Sequence, residues 1–389
     1  MCAPLLTLDG LRVRFARRPE TLLEVADDIA ARFASIGDAL VPAALPEAAR
    51  ALLARCPDPS ALPLWGMPYV VGANVDVAGL PTSAGLPALD FLPDFDATVV
   101  ERLRAAGALV VGKAPVDPLG LDASAAGIAV AIATGLAAFG IASDRTGAAS
   151  MDAASCGVVA IKPSPGCVTI DGLFAVTPGF DGVVVLAADV VSGTAVRRVI
   201  ESDGVAQPRL AASPTRLGLL GDDASALAPD IAEQLGLALV FVDKAPFAEI
   251  VALMDDDAWL ALRLEDVEVA LLETPDLFPA HLRQRLSRAL GCPARDLVQA
   301  QRRLSGLCRQ VEAVFAGFDL LFVPPDAGLA GFINTCGLAA VILPDGTALI
   351  GAHGSDDGLA DAAIALMPPA FSKSTRPIDI LASSTLAHR

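Results

Sequence analysis

Residues 96–113, DATVVERLRAAGALVVGK, indicate the class of fold. In the first half of this stretch apolar side chains recur at Val99, Val100 and Leu103, which is the spacing of one face of a helix. The residues at 109–111, Leu-Val-Val, are typical of a short buried strand. A helix that leads into a β-branched strand predicts helices layered on a β-sheet, which is an α/β fold.

The same alternation extends over most of the chain. Helices are predicted for residues 20–33 and 46–55, and residues 256–315 are predicted to be mostly helical with an interruption at Gly291-Cys292-Pro293. We therefore expect a mixed, twisted β-sheet covered by helices on both faces, preceded by a helical N-terminal arm. Strands are predicted at residues 69–71, 109–111, 157–161, 183–186, 216–220, 238–242, 320–323 and 340–343.

This organisation predicts a single domain over residues 1–389, because no internal repeat and no low-complexity linker divides the chain. Within it we expect a helical arm over residues 1–60, a core over residues 61–200 and a C-terminal part over residues 208–370. Residues 371–389 carry several Ser and Thr side chains, and we predict that they form a mobile tail.

The composition excludes several classes of protein. With 28 Lys and Arg against 45 Asp and Glu, the formal net charge is −17, so we expect no nucleic-acid partner. A hydrophobic fraction of 54% and a charged fraction of 19% exclude a disordered chain. The longest uncharged run, residues 123–143, consists largely of Ala and Gly and has no basic flanking residue. We predict a buried helix that leads into a buried strand there, and no contact with a membrane.

Cysteine and histidine usage argues against a metal centre. The seven cysteines are scattered without a CxxC pair, and only three histidines occur. We therefore expect no metal and no other cofactor, free thiols, and a cytoplasmic protein, since the N-terminus lacks the pattern of a signal peptide. The main basic cluster, interpreted either as a solvated arm or as a docking surface, consists of Arg12, Arg14, Arg17 and Arg18.

Six stretches, in their order and spacing, resemble the amidase signature family, with particular similarity to the amidase part of allophanate hydrolases. The resemblance implies the amidase-signature fold and a relay of three residues: a nucleophilic serine, a serine at a cis peptide bond, and a neutral lysine that accepts the proton. Backbone N–H groups of a Gly-rich loop would hold the tetrahedral intermediate. The stretches are PLWGMPYVVGANVDVAGLPTS (63–83), DATVVERLRAAGALVVGK (96–113), GVVAIKPSPG (157–166), VDKAPF (242–247), QRRLSGLCRQVEAVFAGFDLL (301–321) and LIG (349–351).

The lysine of this relay is missing. In the family it lies in the phrase V-K-D-N, which here reads Val71-Gly72-Ala73-Asn74. Gly72 therefore stands at the position of the base. No lysine precedes Lys113, which matches a different position of the family and which we interpret as structural.

The two serine positions are altered as well. The cis-serine position falls on Ser124, but the paired glycines of the family's loop are absent. A cis bond at a non-proline residue costs about 2.5–4 kcal/mol, so we expect a trans bond, with Ser124 as a helix N-cap. The nucleophile position falls on Ala148, because the eighteen residues from Asp144 to Lys162 match the family without a gap.

The loop that would supply the oxyanion-binding N–H groups becomes a vestigial pocket, formed by Arg145, Thr146, Gly147 and Ser150. Two interpretations of Arg145 remain open: a buried ion pair with Asp152 that fills the old pocket, or a solvated loop charge.

Two further losses lie outside this loop. Compared with the family, the chain is shortened between Asp117 and Asp122, where the family carries a loop beside the substrate, and again between Pro325 and Phe332. The hydroxyls nearest to the nucleophile position belong to Ser150 and Ser155, and either one would need a local shift and would still lack a base.

Three functions from different classes follow. The first is a catalytically inactive amidase-like pseudoenzyme that acts as a scaffold, partner or regulatory subunit, linked to urea, allophanate or other amide metabolism, with a protein partner or a second copy of itself. The second is a protein that binds a small amide or carboxylate. The third is an amidohydrolase with a relocated nucleophile, for which the candidates are Ser124, Ser150, Ser155 and Cys156. We favour the first, with no active catalytic residue, because loss of a nucleophile or base costs on the order of 10⁶ in turnover in a protease.

Overall fold

A mixed β-sheet runs through the computed structural model. The structure describes residues 5–34, 40–116, 118–120, 126–145, 147–174, 176–177, 179–202, 214–220, 228–254, 256–325 and 331–367. Within these residues eleven strands form a single sheet. Their bounds are Val41–Pro42 (β1), Pro68–Gly72 (β2), Leu109–Ala114 (β3), Phe139–Asp144 (β4), Val159–Lys162 (β5), Gly182–Ala187 (β6), Arg216–Leu220 (β7), Ala238–Val242 (β8), Leu320–Val323 (β9), Ala339–Ile342 (β10) and Ala348–Gly351 (β11).

The strands combine parallel and antiparallel pairing. Their spatial order is β1-β3-β2-β4-β6-β5-β10-β11-β9-β7-β8. Strand β2 runs parallel to both β3 and β4, and β7 runs parallel to both β8 and β9. The other neighbours pair in the antiparallel sense. The carboxyl ends of β2 and β4 therefore lie at the same edge of the sheet.

Helices account for most of the remaining described residues. Their bounds are Leu8–Arg17 (α1), Thr21–Ala34 (α2), Leu45–Arg55 (α3), Thr98–Ala105 (α4), Ala126–Ala133 (α5), Ala148–Ser155 (α6), Val190–Ile200 (α7), Ala228–Leu235 (α8), Ala245–Leu253 (α9), Asp257–Leu260 (α10), Leu264–Glu273 (α11), Ala280–Ala289 (α12), Ala294–Phe315 (α13), Phe332–Thr335 (α14) and Asp356–Leu366 (α15).

The helices cover both faces of the sheet, as the sequence predicts. A Cβ atom placed on Gly140 of β4 would meet Ile128 of α5 at 2.3 Å, so α5 packs directly on this face. On β5, which β6 separates from β4, Ile161 lies 2.7 Å from the Cβ position of Gly193 in α7. Gly140 and Ala160 both pair with Leu186 of β6, so their side chains point to the same face. Ile161 is the next residue of β5 and points to the opposite face, because side chains alternate along a strand.

Several predicted elements are confirmed at nearly the predicted bounds. The helix predicted at residues 20–33 is α2, the helix predicted at 46–55 is α3, and the stretch 96–113 forms α4 followed by β3. The uncharged run 123–143 contains α5 and then most of β4, both buried. The chain therefore has the mixed α/β architecture that the sequence predicts, with its core between the sheet and the two helical layers.

Other boundaries need correction. The strand predicted at 157–161 begins only at Val159, because Gly157 has φ +71° and lies in the turn after α6. The helical stretch 256–315 has a second interruption at Pro275, where the missing amide hydrogen and the fixed φ of proline end α11. Strand β11 was not among the predicted strands.

The N-terminal arm is helical and packs on the core through Leu8, Leu11 and Phe15 of α1. Three arginines of its basic cluster lie near acidic side chains: Arg12 lies 3.1 Å from Asp9, and both Arg14 and Arg18 lie within 3.6 Å of Glu24. The interpretation of the cluster as a docking surface stays a prediction.

Three further expectations concern the division into domains, the C-terminal tail and contact with a membrane. Strand β5, from the predicted core, pairs with β10, from the predicted C-terminal part, but the single domain over residues 1–389 stays a prediction. The predicted mobile tail at 371–389 lies outside the described residues. No helix among the residues that the structure describes has both the length and the apolar character needed to cross a membrane.

Candidate functional site

The predicted site lies where β2 and β4 end. Gly72 is the last residue of β2, and Asp144 is the last residue of β4. After β4 the chain turns at Gly147, which has φ +87°, and α6 begins at Ala148. The structure thus brings the lysine and nucleophile positions to the same sheet edge. Ser124 and Thr146 lie outside the described residues, so the expected trans bond at Ser124 stays a prediction.

The space beside Gly72 is filled. A Cβ atom at this residue would lie 2.9 Å from Oδ1 of Asn74 and 3.3 Å from Cγ1 of Val116. Asn74 is itself held in place, because its Nδ2 donates to Oγ of Ser143 at 2.9 Å and to the carbonyl of Phe174 at 3.3 Å. A side chain at residue 72 would therefore have to displace a hydrogen-bonded amide.

The end of β4 carries a buried polar network centred on Asp144. One carboxylate oxygen accepts a hydrogen bond from the backbone N–H of Gly147 at 2.8 Å. The other accepts from Oγ of Ser150 at 2.7 Å and from Nζ of Lys162 at 3.1 Å. The side chains of Asp144 and Lys162 are each 1% exposed. A buried charge pair of this kind is tolerated because further hydrogen bonds satisfy both partners.

The sequence indicated no base near Ser150. In the structure, the Ser150 hydroxyl donates to Asp144, and the same carboxylate oxygen accepts from Nζ of Lys162. The contact was missed because it depends on β6 lying between β4 and β5 in the sheet. Ser150 has no exposed surface, and its hydroxyl already donates to Asp144, so the network fixes the first turn of α6.

The other proposed replacements are poorly suited to attack a carbonyl. The hydroxyl of Ser155 donates to the carbonyl of Met151 within α6 at 3.0 Å. Burial, with a smaller contribution from Asp152, raises the pKa of the Cys156 thiol to about 11. The thiolate is the nucleophilic form, so Cys156 is unreactive near neutral pH.

Arg145 lies in the turn after β4 and is buried, while Asp152 on α6 is half-buried. Its burial contradicts the interpretation of Arg145 as a solvated loop charge, whereas the alternative, an ion pair with Asp152, stays a prediction.

Lys113 on β3 forms a second buried network. Its Nζ donates to Oγ1 of Thr82 at 2.9 Å, and this hydroxyl donates to Oδ1 of Asp76 at 2.7 Å. Burial lowers the pKa of Lys113 to about 8, although Asp76 and Asp90 act in the opposite direction. The side chain is 1% exposed, which agrees with the structural role inferred from the sequence.

A cavity of about 330 Å³ adjoins the Asp144 network. Its wall includes Asn334, whose Nδ2 donates to the backbone carbonyls of Asp144 and Phe180. Asp181, which also lines the cavity, forms a buried ion pair with Arg263 at 2.7 Å. The other lining residues come mainly from the loop after β5 and the start of β6: Pro163, Ser164, Pro165, Gly166, Val168, Thr169, Ile170, Gly179, Gly182 and Val183.

Metal-binding residues do not gather in this region. Across the described ranges, no three His, Cys, Asp or Glu side chains are arranged to hold a metal ion. His281 and His353 are both exposed.

Comparisons with known proteins agree with this architecture. Residues 20–125 match the family model described as Amidase. The urea amidolyase of Saccharomyces cerevisiae is 23% identical over 400 residues, which cover 84% of this chain and 22% of that protein. A glutamyl-tRNA(Gln) amidotransferase subunit from Natronomonas pharaonis is 34% identical over 200 residues, which cover 44% of this chain and 47% of that protein.

The likeness in structure extends further than the likeness in sequence. The crystallised allophanate hydrolase of Kluyveromyces lactis superposes with a TM-score of 0.81 at 21% identity, over 94% of this chain and 73% of that one. The chain spans about a fifth of the length of the urea amidolyase and about half of the amidotransferase subunit. In sequence the chain is similar to urea amidolyase over most of its length, and in fold it is similar to allophanate hydrolase.

Proposed function

We propose that this chain is an amidase-like pseudoenzyme, a protein that keeps the fold and has lost the hydrolytic chemistry. The observation that carries the proposal is Gly72 at the lysine position, where a Cβ atom alone would already lie 2.9 Å from Oδ1 of Asn74 and 3.3 Å from Cγ1 of Val116. Ala148 at the nucleophile position supports the same conclusion, because a methyl group can neither attack a carbonyl nor donate a proton.

The remaining polar groups at this edge support a structural role. The carboxylate of Asp144 receives three hydrogen bonds, from Gly147, Ser150 and Lys162. A lysine that acts as a general base must be neutral and must reach the reacting hydroxyl. The ammonium of Lys162 is instead bound to a carboxylate and removed from solvent. We therefore assign the network a structural role, which is to stabilise the turn into α6.

The proposal is tested by hydrolysis assays with the purified full chain. A panel of amides that includes allophanate is expected to give no turnover above the uncatalysed rate, with an active amidase as the positive control. Turnover that the Ser150→Ala variant abolishes would instead show a rebuilt site, and the pseudoenzyme proposal would have to be abandoned.

As a pseudoenzyme, the chain would act in the cytoplasm through a protein partner or a second copy of itself, linked to urea, allophanate or other amide metabolism. Homology to urea amidolyase and to an amidotransferase subunit supports this setting. Light scattering tests the self-association directly. A particle mass of 39.7 kDa indicates a monomer, and any partner must then be a different protein. A multiple of that mass indicates an oligomer of this chain.

The cavity beside Asn334 favours a second candidate function, binding of a small amide or carboxylate. Its volume of about 330 Å³ lies at the lower end of the range typical of ligand sites. Small amides and dicarboxylates are expected to raise the melting temperature of the chain. The Thr169→Trp variant, which fills the cavity, should remove that rise, and an unchanged rise in this variant would exclude the cavity as the site.

A further inference from the structure

Two cysteines far apart in the chain face each other across α13 and α14. Cys308 lies within α13, and Cys336 follows the last residue of α14. Their sulfur atoms are 3.8 Å apart, and Cys308 Sγ also lies 3.3 Å from the carbonyl oxygen of Thr335. Both side chains are half-buried, so small solutes can reach them. A disulfide requires about 2.05 Å between the sulfurs, so the pair must close by nearly 2 Å to form one.

The two thiols differ in the direction of their pKa shifts. The hydrogen bond from the thiol of Cys336 lowers the pKa of Cys308; burial opposes this effect and Arg309 assists it. The same hydrogen bond, together with burial, raises the pKa of Cys336. Because the thiolate is the form that reacts with oxidants, Cys308 is the residue that should react first.

We propose that Cys308 and Cys336 form a reversible intrachain disulfide in response to a peroxide. The Cys308 thiolate attacks one oxygen of hydrogen peroxide, forming a sulfenic acid as the O–O bond breaks and hydroxide leaves. The sulfur of Cys336 then attacks the sulfur of Cys308, forming the S–S bond as the S–O bond breaks. The oxygen leaves as water with the Cys336 proton. Overall, two thiols and one peroxide give one disulfide and two waters, and a thiol reductant reverses the change.

This bond would act on the candidate site through α14. Asn334, two residues before Cys336, donates to the carbonyls of Asp144 and Phe180 and lines the cavity. A disulfide would fix the end of α14 to α13, a helix of 22 residues that packs on α9. The oxidation state of the pair would therefore set how firmly Asn334 holds the end of β4.

The test uses the full chain treated with hydrogen peroxide and then with a thiol reductant. We expect the intact mass to fall by two hydrogen atoms, and proteolytic peptides that contain Cys308 and Cys336 to be joined until the reductant is added. Closing the 28-residue separation should raise the melting temperature by about 4 °C. The Cys308→Ser and Cys336→Ser variants should lose both changes.

Cys56→Ser is the matched control, because Cys56 is also a half-buried free thiol but lies outside this pair. It should retain the joined peptides and the rise in melting temperature. Oxidation of wild-type Cys308 to a sulfinic acid without joined peptides would overturn the proposal. So would an oxidised wild-type chain that melts at the temperature of the reduced one.

Discussion

The carboxyl ends of the neighbouring parallel strands β4 and β2 differ in the polar side chains that they carry. At the end of β4, Asp144 retains a complete set of hydrogen bonds with Ser150 and Lys162, all of them buried. At the end of β2, Gly72 carries no side chain, and apolar and amide groups fill the space around it. The polar groups around Asp144 are present and hydrogen-bonded, whereas the lysine side chain that would have served only chemistry is absent at Gly72. An unsatisfied buried polar group costs about 1–3 kcal/mol, so its removal can favour the folded state.

The largest effect is expected from breaking the β4 network. The Lys162→Met variant leaves the Asp144 carboxylate buried without its counter-ion, and the free energy of unfolding should fall by about 3–5 kcal/mol. Urea unfolding monitored by tryptophan fluorescence measures this change. The double variant with Asp144→Asn removes both charges and should recover part of the loss. A loss below about 1 kcal/mol for Lys162→Met would show that the pair is solvated.

The second prediction concerns Lys113, which is as buried as Lys162 but lies next to a hydroxyl instead of a carboxylate. Its pKa is lowered to about 8 in the folded state from 10.5, so the folded state binds fewer protons than the unfolded state between these pH values. The cost of burying the charge is fully present below pH 8. The free energy of unfolding should therefore rise with pH through this window, by about 3 kcal/mol in total.

Comparison with the Lys113→Met variant isolates this contribution from other titrating groups. The difference in free energy of unfolding between the wild type and this variant should move in favour of the wild type as the pH rises from 8 to 10.5. A difference that stays constant across this window would mean that Lys113 titrates at its ordinary pKa.

The third prediction tests the closed space at the end of β2. The Gly72→Lys variant must displace Asn74, 2.9 Å from the new Cβ atom, and should lose about 1–3 kcal/mol of stability. Combined with Ala148→Ser it should still show no amide hydrolysis. Gly291→Ala is the control, because no atom lies within 4 Å of its Cβ position, and it should change stability by less than about 0.5 kcal/mol.

The smallest effect is expected at Ser150. The Ser150→Ala variant removes one of three hydrogen bonds to Asp144, and the free energy of unfolding should fall by about 1–2 kcal/mol. Thermal and urea unfolding measure it. An effect as large as that of Lys162→Met would indicate that the hydroxyl, and not the ammonium, is the main partner of the carboxylate.

Local patterns in the sequence predict the elements well, and contacts between distant elements poorly. The helix α4 and the strand β3 follow from the spacing of Val99, Val100 and Leu103 and from the β-branched run after them, because these depend only on near neighbours. The helix break at Pro275 was missed, because the surrounding apolar periodicity continues through it.

The candidate site was predicted in position but not in its contacts. The eighteen-residue spacing from Asp144 to Lys162 fixed the alignment, yet it did not show that the two side chains meet, because their contact depends on the strand order β4-β6-β5. The contact of Lys113 with Thr82 and that of Cys308 with Cys336 were missed for the same reason.

The most direct test of the central claim is covalent labelling with a fluorophosphonate, which reacts with activated serines. The intact mass of the purified chain is measured after treatment, with an active amidase treated in parallel. The absence of a catalytic base predicts no adduct on this chain under conditions that label the amidase completely. A single adduct on Ser124, Ser150 or Ser155 would contradict the claim and would show that the fold has rebuilt a nucleophile.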